Sequence, residues 1–152
     1  MENASKVYTG AARQAAGSLS HGSFLLADCG LAQAARLNLL LVHVDRPLED
    51  FVESFLLDRR EPMPIWRPGQ RLVLPPVLRQ RTMILHDVGA LPLDDQRRLV
   101  AWLEGAGRRT QIVSTTPAPL LPHVEAGTFL DTLYYRLNIV YVDVAVGKVE
   151  AA

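Results

Sequence analysis

Four short apolar runs, each leading into a stretch with helical spacing, dominate the chain: Leu37 to Val44 (LNLLLVHV), Thr82 to Val88 (TMILHDV), Thr110 to Thr115 (TQIVST) and Asn138 to Val144 (NIVYVDV). Near-continuous apolar runs of this length mark strands covered on both faces, as in a parallel sheet. After the first run, Asp45-Arg46-Pro47 combines a capping residue with a helix-starting proline. The spacing predicts a helix from about Pro47 to Leu57, with Leu48, Phe51, Val52, Phe55 and Leu56 on its buried face. A second helix is expected over Leu93 to Glu104, through Leu99, Trp102 and Leu103, with Asp94 and Asp95 in the first turn where they suit the helix dipole. Further helical stretches are expected around Leu120 to Ala126 and Phe129 to Leu137. The alternation of strand and helix implies an α/β domain, a three-layer α/β/α arrangement around a mostly parallel sheet of about five strands.

The segment from Pro62 to Val77 is proline-rich and carries Arg67-Pro68-Gly69-Gln70, a Pro-Gly pair suited to a type II turn. It predicts an edge hairpin pairing Ile65-Trp66 with Leu72-Val73-Leu74. The first 36 residues are Ala-rich and read as a helical lead-in whose last turn, Leu31 to Arg36, enters the first strand; residues 37–152 read as one domain. At 152 residues the chain is long enough for one core and too short for two.

Sixteen basic residues balance sixteen acidic ones, so no global field gathers nucleic acid or anionic lipid, and neither direct DNA binding nor membrane attachment is expected. The single cysteine, Cys29, excludes an internal disulfide, and no signal peptide or long apolar span is visible; a cytoplasmic setting is expected. Asn3-Ala4-Ser5 has the form of a glycosylation acceptor, which matters only in a secreted protein.

Thr82 to Pro92 (TMILHDVGALP), Gln96 to Leu103, Thr110 to Thr116 and Gly127 to Val140 (GTFLDTLYYRLNIV) stand in this order over the second half of the chain. Together they resemble the AAA+ domain of the sigma-54-dependent transcription activators, whose pattern is TLFLDEIGELP, a helix, a strand of the IIAATN kind, and GxFRxDLYYRLNVV. The resemblance implies a P-loop-type α/β core.

The residues that carry chemistry in that family differ here. Its phosphate loop, of the GESGTGKE kind, wraps phosphates with bare backbone N–H groups and a lysine. Alignment without a gap places His43, Val44, Asp45, Arg46, Pro47, Leu48 and Glu49 there. No glycine remains, Glu49 stands at the lysine position, and Pro47 lacks an N–H. At the Walker B position, where the family's Asp holds magnesium and its Glu positions water, stand His86 and Asp87. The sensor asparagine corresponds to Thr116; of two arginines that face a neighbouring subunit, one position is Leu130 and the other Arg136. Nothing like the GAFTGA loop stands between the phosphate-loop region and Thr82, and few residues follow Val144, so neither the family's helical lid nor a helix-turn-helix segment is expected in these 152 residues.

Other readings fall on the same residues. His43 and His86, with Asp45 and Asp87, would need to meet to hold a metal ion. In the family's strand order one strand separates them, putting the backbones roughly 9 to 10 Å apart, so no metal and no cofactor is expected. Ser114-Thr115-Thr116 lacks the partners of a nucleophile. Tyr134, Tyr135 and Arg136 match the family's subunit-facing segment and are equally well read as an interface or as local packing. Trp66 marks a contact patch in the proline-rich segment, whereas Trp102 belongs to the core. The expectation is a domain with no catalytic residues, acting through protein contacts or self-association, in transcriptional regulation. The alternative is a diverged nucleotide- or phosphate-handling enzyme rebuilt around Arg46, Asp87, Thr116 and Arg136.

Overall fold

A computed structural model describes residues 34–56, 63–76 and 82–144. Within them, five strands form one sheet and all pairings are parallel. In chain order these are β1 (Leu39–Val42), α1 (Arg46–Leu56), β2 (Ile65–Trp66), β3 (Thr82–Leu85), a 3-10 turn (Val88–Ala90), α2 (Leu93–Glu104), β4 (Gln111–Thr116), α3 (Leu121–Glu125), α4 (Asp131–Leu137) and β5 (Val140–Asp143). The spatial order is β2-β3-β4-β1-β5.

Because successive side chains of a strand point to opposite faces, the apolar runs serve two cores at once. Leu39 and Leu41 join Ile84, Val113, Val140 and Val142 under Val52 and Leu56 of α1. Leu40 and Val42 join Met83, Leu85 and Ile112 on the other face, beneath Leu99 and Leu103 of α2 and Leu133 and Leu137 of α4. The expected three layers follow. β1 is buried along its whole length between β4 and β5. Asn38 locks it in place just before its start, accepting the Ile112 N–H at 2.8 Å and donating to the Arg136 carbonyl at 2.8 Å.

Strand ends fall short of the sequence expectation for a backbone reason. His43 at the tip of β1 has φ 63° and Asp87 beyond β3 has φ 48°, the left-handed region that extended pairing cannot accommodate. Arg36, at φ 57°, closes the short helical stretch that precedes β1 in the same way. The earlier part of the expected lead-in, Cys29 and Asn3 lie outside the described residues.

The expected hairpin does not form. The Pro68-Gly69 turn is present, with Gly69 at φ 87° and the Gln70 N–H bonded to the Arg67 carbonyl at 3.1 Å. Ile65 and Trp66, however, pair in parallel with Ile84 and Leu85, and residues 71–76 make no strand. The cause is burial: Leu72 is fully covered in the second core, so after the turn the chain heads into the protein rather than back along β2. Trp66 is likewise a core residue rather than a contact patch. It is 2% exposed, with its indole N–H on the Gln70 carbonyl at 3.0 Å. Trp102 sits at the core margin, partly buried, and donates to the Pro75 carbonyl at 3.0 Å.

Candidate functional site

Ligands of open α/β sheets bind beyond the carboxyl ends of the strands, and here the tips of β1, β3 and β4 meet the start of α1. The first N–H groups of a helix attract anions, but this helix caps itself. Asp45 Oδ1 accepts the Leu48 N–H at 3.1 Å, and the Asp45 carbonyl accepts the Glu49 N–H at 3.0 Å. Pro47 has no N–H to offer. Arg46 is exposed, with Asp50 4.0 Å away, and Leu48 packs against the first core. Glu49, by contrast, is turned inward.

Glu49 and Glu53 lie one helical turn apart on the inner face of α1, and both meet the Arg67 guanidinium. Arg67 reaches Glu49 Oε2 at 2.7 Å, also bonds Glu53, and stands 3.7 Å from Asp50. Beneath them is His86, wholly buried. Its Nε2 is 2.7 Å from Glu53 Oε1, its Nδ1 is 3.1 Å from Thr115 Oγ1, and Glu49 Oε1 is 4.0 Å away. Thr115 Oγ1 also accepts the Asp87 N–H at 3.2 Å. A neutral imidazole satisfies every partner: Nε2–H donates to Glu53, and Nδ1 accepts from the Thr115 hydroxyl. Burial pushes the His86 pKa down; the carboxylates of Glu49 and Glu53 pull it back up, and Arg67 reinforces the depression.

A second pair stands at the tips of β1 and β5, where His43 Nδ1 lies 2.7 Å from Asp143 Oδ1 with both side chains partly exposed. β4 separates β1 from β3, so the two histidines are engaged with different partners. No cluster of three or more metal-ligating side chains occurs among the described residues.

No protein-family model and no curated protein matches the chain. Solved structures do. The structure of NtrX from Brucella abortus in complex with ATP superposes with a TM-score of 0.61 at 15% identity, over 84% of this chain and 36% of that one. The same protein in complex with ADP gives 0.61 at 15% identity, over 95% and 43%. A third NtrX structure from that organism gives 0.56 at 15% identity, over 91% and 39%. The chain shares its fold, a five-stranded parallel sheet with helices packed on it, with these NtrX structures. The chain spans less than half the length of the NtrX chains it matches.

On this sheet the remaining candidate residues do not converge. Thr116, at the tip of β4, gives its hydroxyl to the Ala118 carbonyl at 2.6 Å. Asp87 stands half-buried at the tip of β3. Arg136, on α4, pairs with Glu104 of α2 at 3.1 Å. Tyr134 packs against the second core, while its edge-on neighbour Tyr135 is 69% exposed. Among the described residues no helix is long and apolar enough to cross a membrane.

Sequence reasoning missed Glu53, Arg67 and Asp143. For Glu53 a signal existed: Glu49 and Glu53, four apart, lie on the same stripe as Val52 and Leu56, where a solvated helix face would not put them. Arg67 and Asp143 carry no comparable local mark.

Proposed function

We propose that this chain is a non-catalytic AAA+-like domain that acts through protein contacts, in the setting of sigma-54-type transcription activation. One observation carries the first part. In the sequence register with the sigma-54 activators, Glu49 stands for the phosphate-binding lysine and His86 for the magnesium-holding Asp, and the two are drawn into one cluster with Arg67 and Glu53. Beside it, the α1 N-terminus is closed by Asp45.

The donor set argues against magnesium nucleotide on chemical grounds. Phosphates call for free N–H groups and a positive side chain, and magnesium for hard oxygen ligands. Here the lysine position carries the inward-facing carboxylate of Glu49, and the magnesium position a neutral imidazole already bonded at both nitrogens. A rebuilt enzyme using Arg46, Asp87, Thr116 and Arg136 finds no support in their arrangement, since Arg136 is held by Glu104 and the Thr116 hydroxyl by the Ala118 carbonyl.

Isothermal calorimetry with millimolar ATP or ADP and magnesium tests the reading. No saturable heat is expected, and micromolar binding overturns it. The contact role rests on the exposed Tyr135 beside the Arg136–Glu104 pair. Capture of a partner, or self-association in sedimentation, is expected to weaken at least tenfold in Tyr135→Ala, and an unchanged Kd removes that surface from the proposal.

A further inference from the structure

The buried cluster at the tip of β3 joins three separate elements through a single imidazole. His86 is 2.7 Å from Glu53 on α1 and 3.1 Å from Thr115 on β4, and Glu53 also bonds Arg67 in the turn after β2. The charged and titratable groups around it are Glu49, Asp50 and Glu53 from α1 and Arg67 from the turn; β4 contributes only the neutral hydroxyl of Thr115. We propose that His86 is a proton-operated latch, whose protonation loosens the Arg67–Gln70 turn and the Asp87–Ala90 tip while the sheet stays intact.

The geometry dictates the sequence of events. In the neutral ring, Nδ1 accepts the Thr115 hydroxyl hydrogen. A proton arriving at Nδ1 turns that acceptor into a donor, so the Thr115 hydroxyl must redirect its hydrogen. That hydroxyl also receives the Asp87 N–H, which anchors a residue held at φ 48°. The new N–H finds its nearest carboxylate oxygen in Glu49 Oε1, 4.0 Å away, while Glu49 Oε2 holds Arg67 at 2.7 Å, so drawing Glu49 toward the ring strains its bond to Arg67. Arg67 then shares the Glu49 carboxylate with the charged ring. A second cation in the cluster also repels its guanidinium. Histidine is the one side chain whose ordinary titration range makes this transition accessible near neutral pH. The latch does not depend on whether the domain binds nucleotide.

A reporter is built in. Trp66 directly precedes the turn and hydrogen-bonds the Gln70 carbonyl at 3.0 Å, so its emission reads the turn. The experiment is a fluorescence titration of the full chain carrying Trp102→Phe, from pH 8 to 5 at constant salt, with far-UV circular dichroism recorded in parallel. A reversible change in Trp66 emission with a midpoint below about 6.5, at constant dichroism, is expected. It disappears in His86→Gln, which keeps a donor and an acceptor without titrating. Glu49→Gln, which removes a carboxylate that favours the charged ring, moves the midpoint down by at least half a pH unit. Flat emission in the folded protein, or emission and dichroism changing together, overturns the proposal. So does an unchanged transition in His86→Gln, and if that variant does not fold, an unmoved midpoint in Glu49→Gln does the same.

Discussion

The imidazole of His86 and the carboxylate of Glu53 meet at 2.7 Å across the junction of β3 and α1, with the imidazole wholly buried. Because the same Glu53 oxygen also serves Arg67, removing the carboxylate leaves a buried ring nitrogen and a largely buried guanidinium short of a partner. Glu53→Ala is expected to lower stability by about 3 kcal/mol. Glu53→Gln, which keeps one acceptor oxygen, is expected to cost about half that. Urea denaturation checks both, through a shifted midpoint with an unchanged slope.

Acid sensitivity follows from the same ring. Burial lowers the folded-state pKa of His86 below its ordinary value, whereas in the unfolded chain it titrates near about 6.5. Between those two values the unfolded chain binds more protons, so stability rises with pH there. The contribution is complete above pH of about 6.5 and is lost as pH falls through the folded value. The expected outcome is a difference curve, wild type minus His86→Gln, that is flat above neutrality and slopes downward on acidification. A flat difference down to pH 5 contradicts it.

Gln96 shows what a buried amide does for the architecture. It is fully buried on α2. Its Nε2 donates to the carbonyls of Leu91 at 2.8 Å and Thr128 at 3.1 Å, while its Oε1 accepts the Leu130 N–H at 2.8 Å. Gln96→Leu keeps the bulk but abandons these backbone groups. A loss of about 2 to 4 kcal/mol is expected, and faster amide exchange at Leu130 is the local sign of it.

Gly107 leaves no room for a side chain, because a Cβ there collides with the indole ring of Trp102. The backbone is held in place by the Gly107 N–H on the Trp102 carbonyl at 2.6 Å, and the indole by its bond to Pro75. Gly107→Ala is therefore expected to lower stability by about 1 to 3 kcal/mol and to shift the Trp102 emission. Gly105→Ala, whose Cβ meets only the Ala101 carbonyl at 3.7 Å, serves as the control.

Asp45 caps α1 through the Leu48 N–H. Asp45→Ala is expected to cost about 1 kcal/mol, seen as a lower thermal midpoint. Because Pro47 and Glu49 remain, calorimetry of this variant with magnesium nucleotide is still expected to show no saturable heat.

What the chain disclosed before folding divides along physical lines. α2 was legible to the residue, since its apolar stripe and paired aspartates are local signals, and β1, β3, β4 and β5 showed through their near-continuous apolar runs. β2 was misread because the turn chemistry of Pro68-Gly69 was real, yet tertiary burial of Trp66 and Leu72 decided where the chain went next. That His86 lies at the end of the second apolar run was visible in sequence, but its partners were not. Arg67 lies far from Glu49 and Glu53 along the chain, and crossover connections bring them together. The pairing of His43 with Asp143 spans 100 residues and depends on β1 and β5 being neighbours.

The brevity of β2 reaches beyond the single domain. Among the described residues, one border of the sheet consists of only two residues, Ile65 and Trp66, bracketed by Pro64 and Pro68. A foreign strand arriving there finds too few unpaired backbone groups to template a ladder, and prolines deny it more. Along that border, recognition falls to side chains, and runaway sheet-to-sheet aggregation is discouraged.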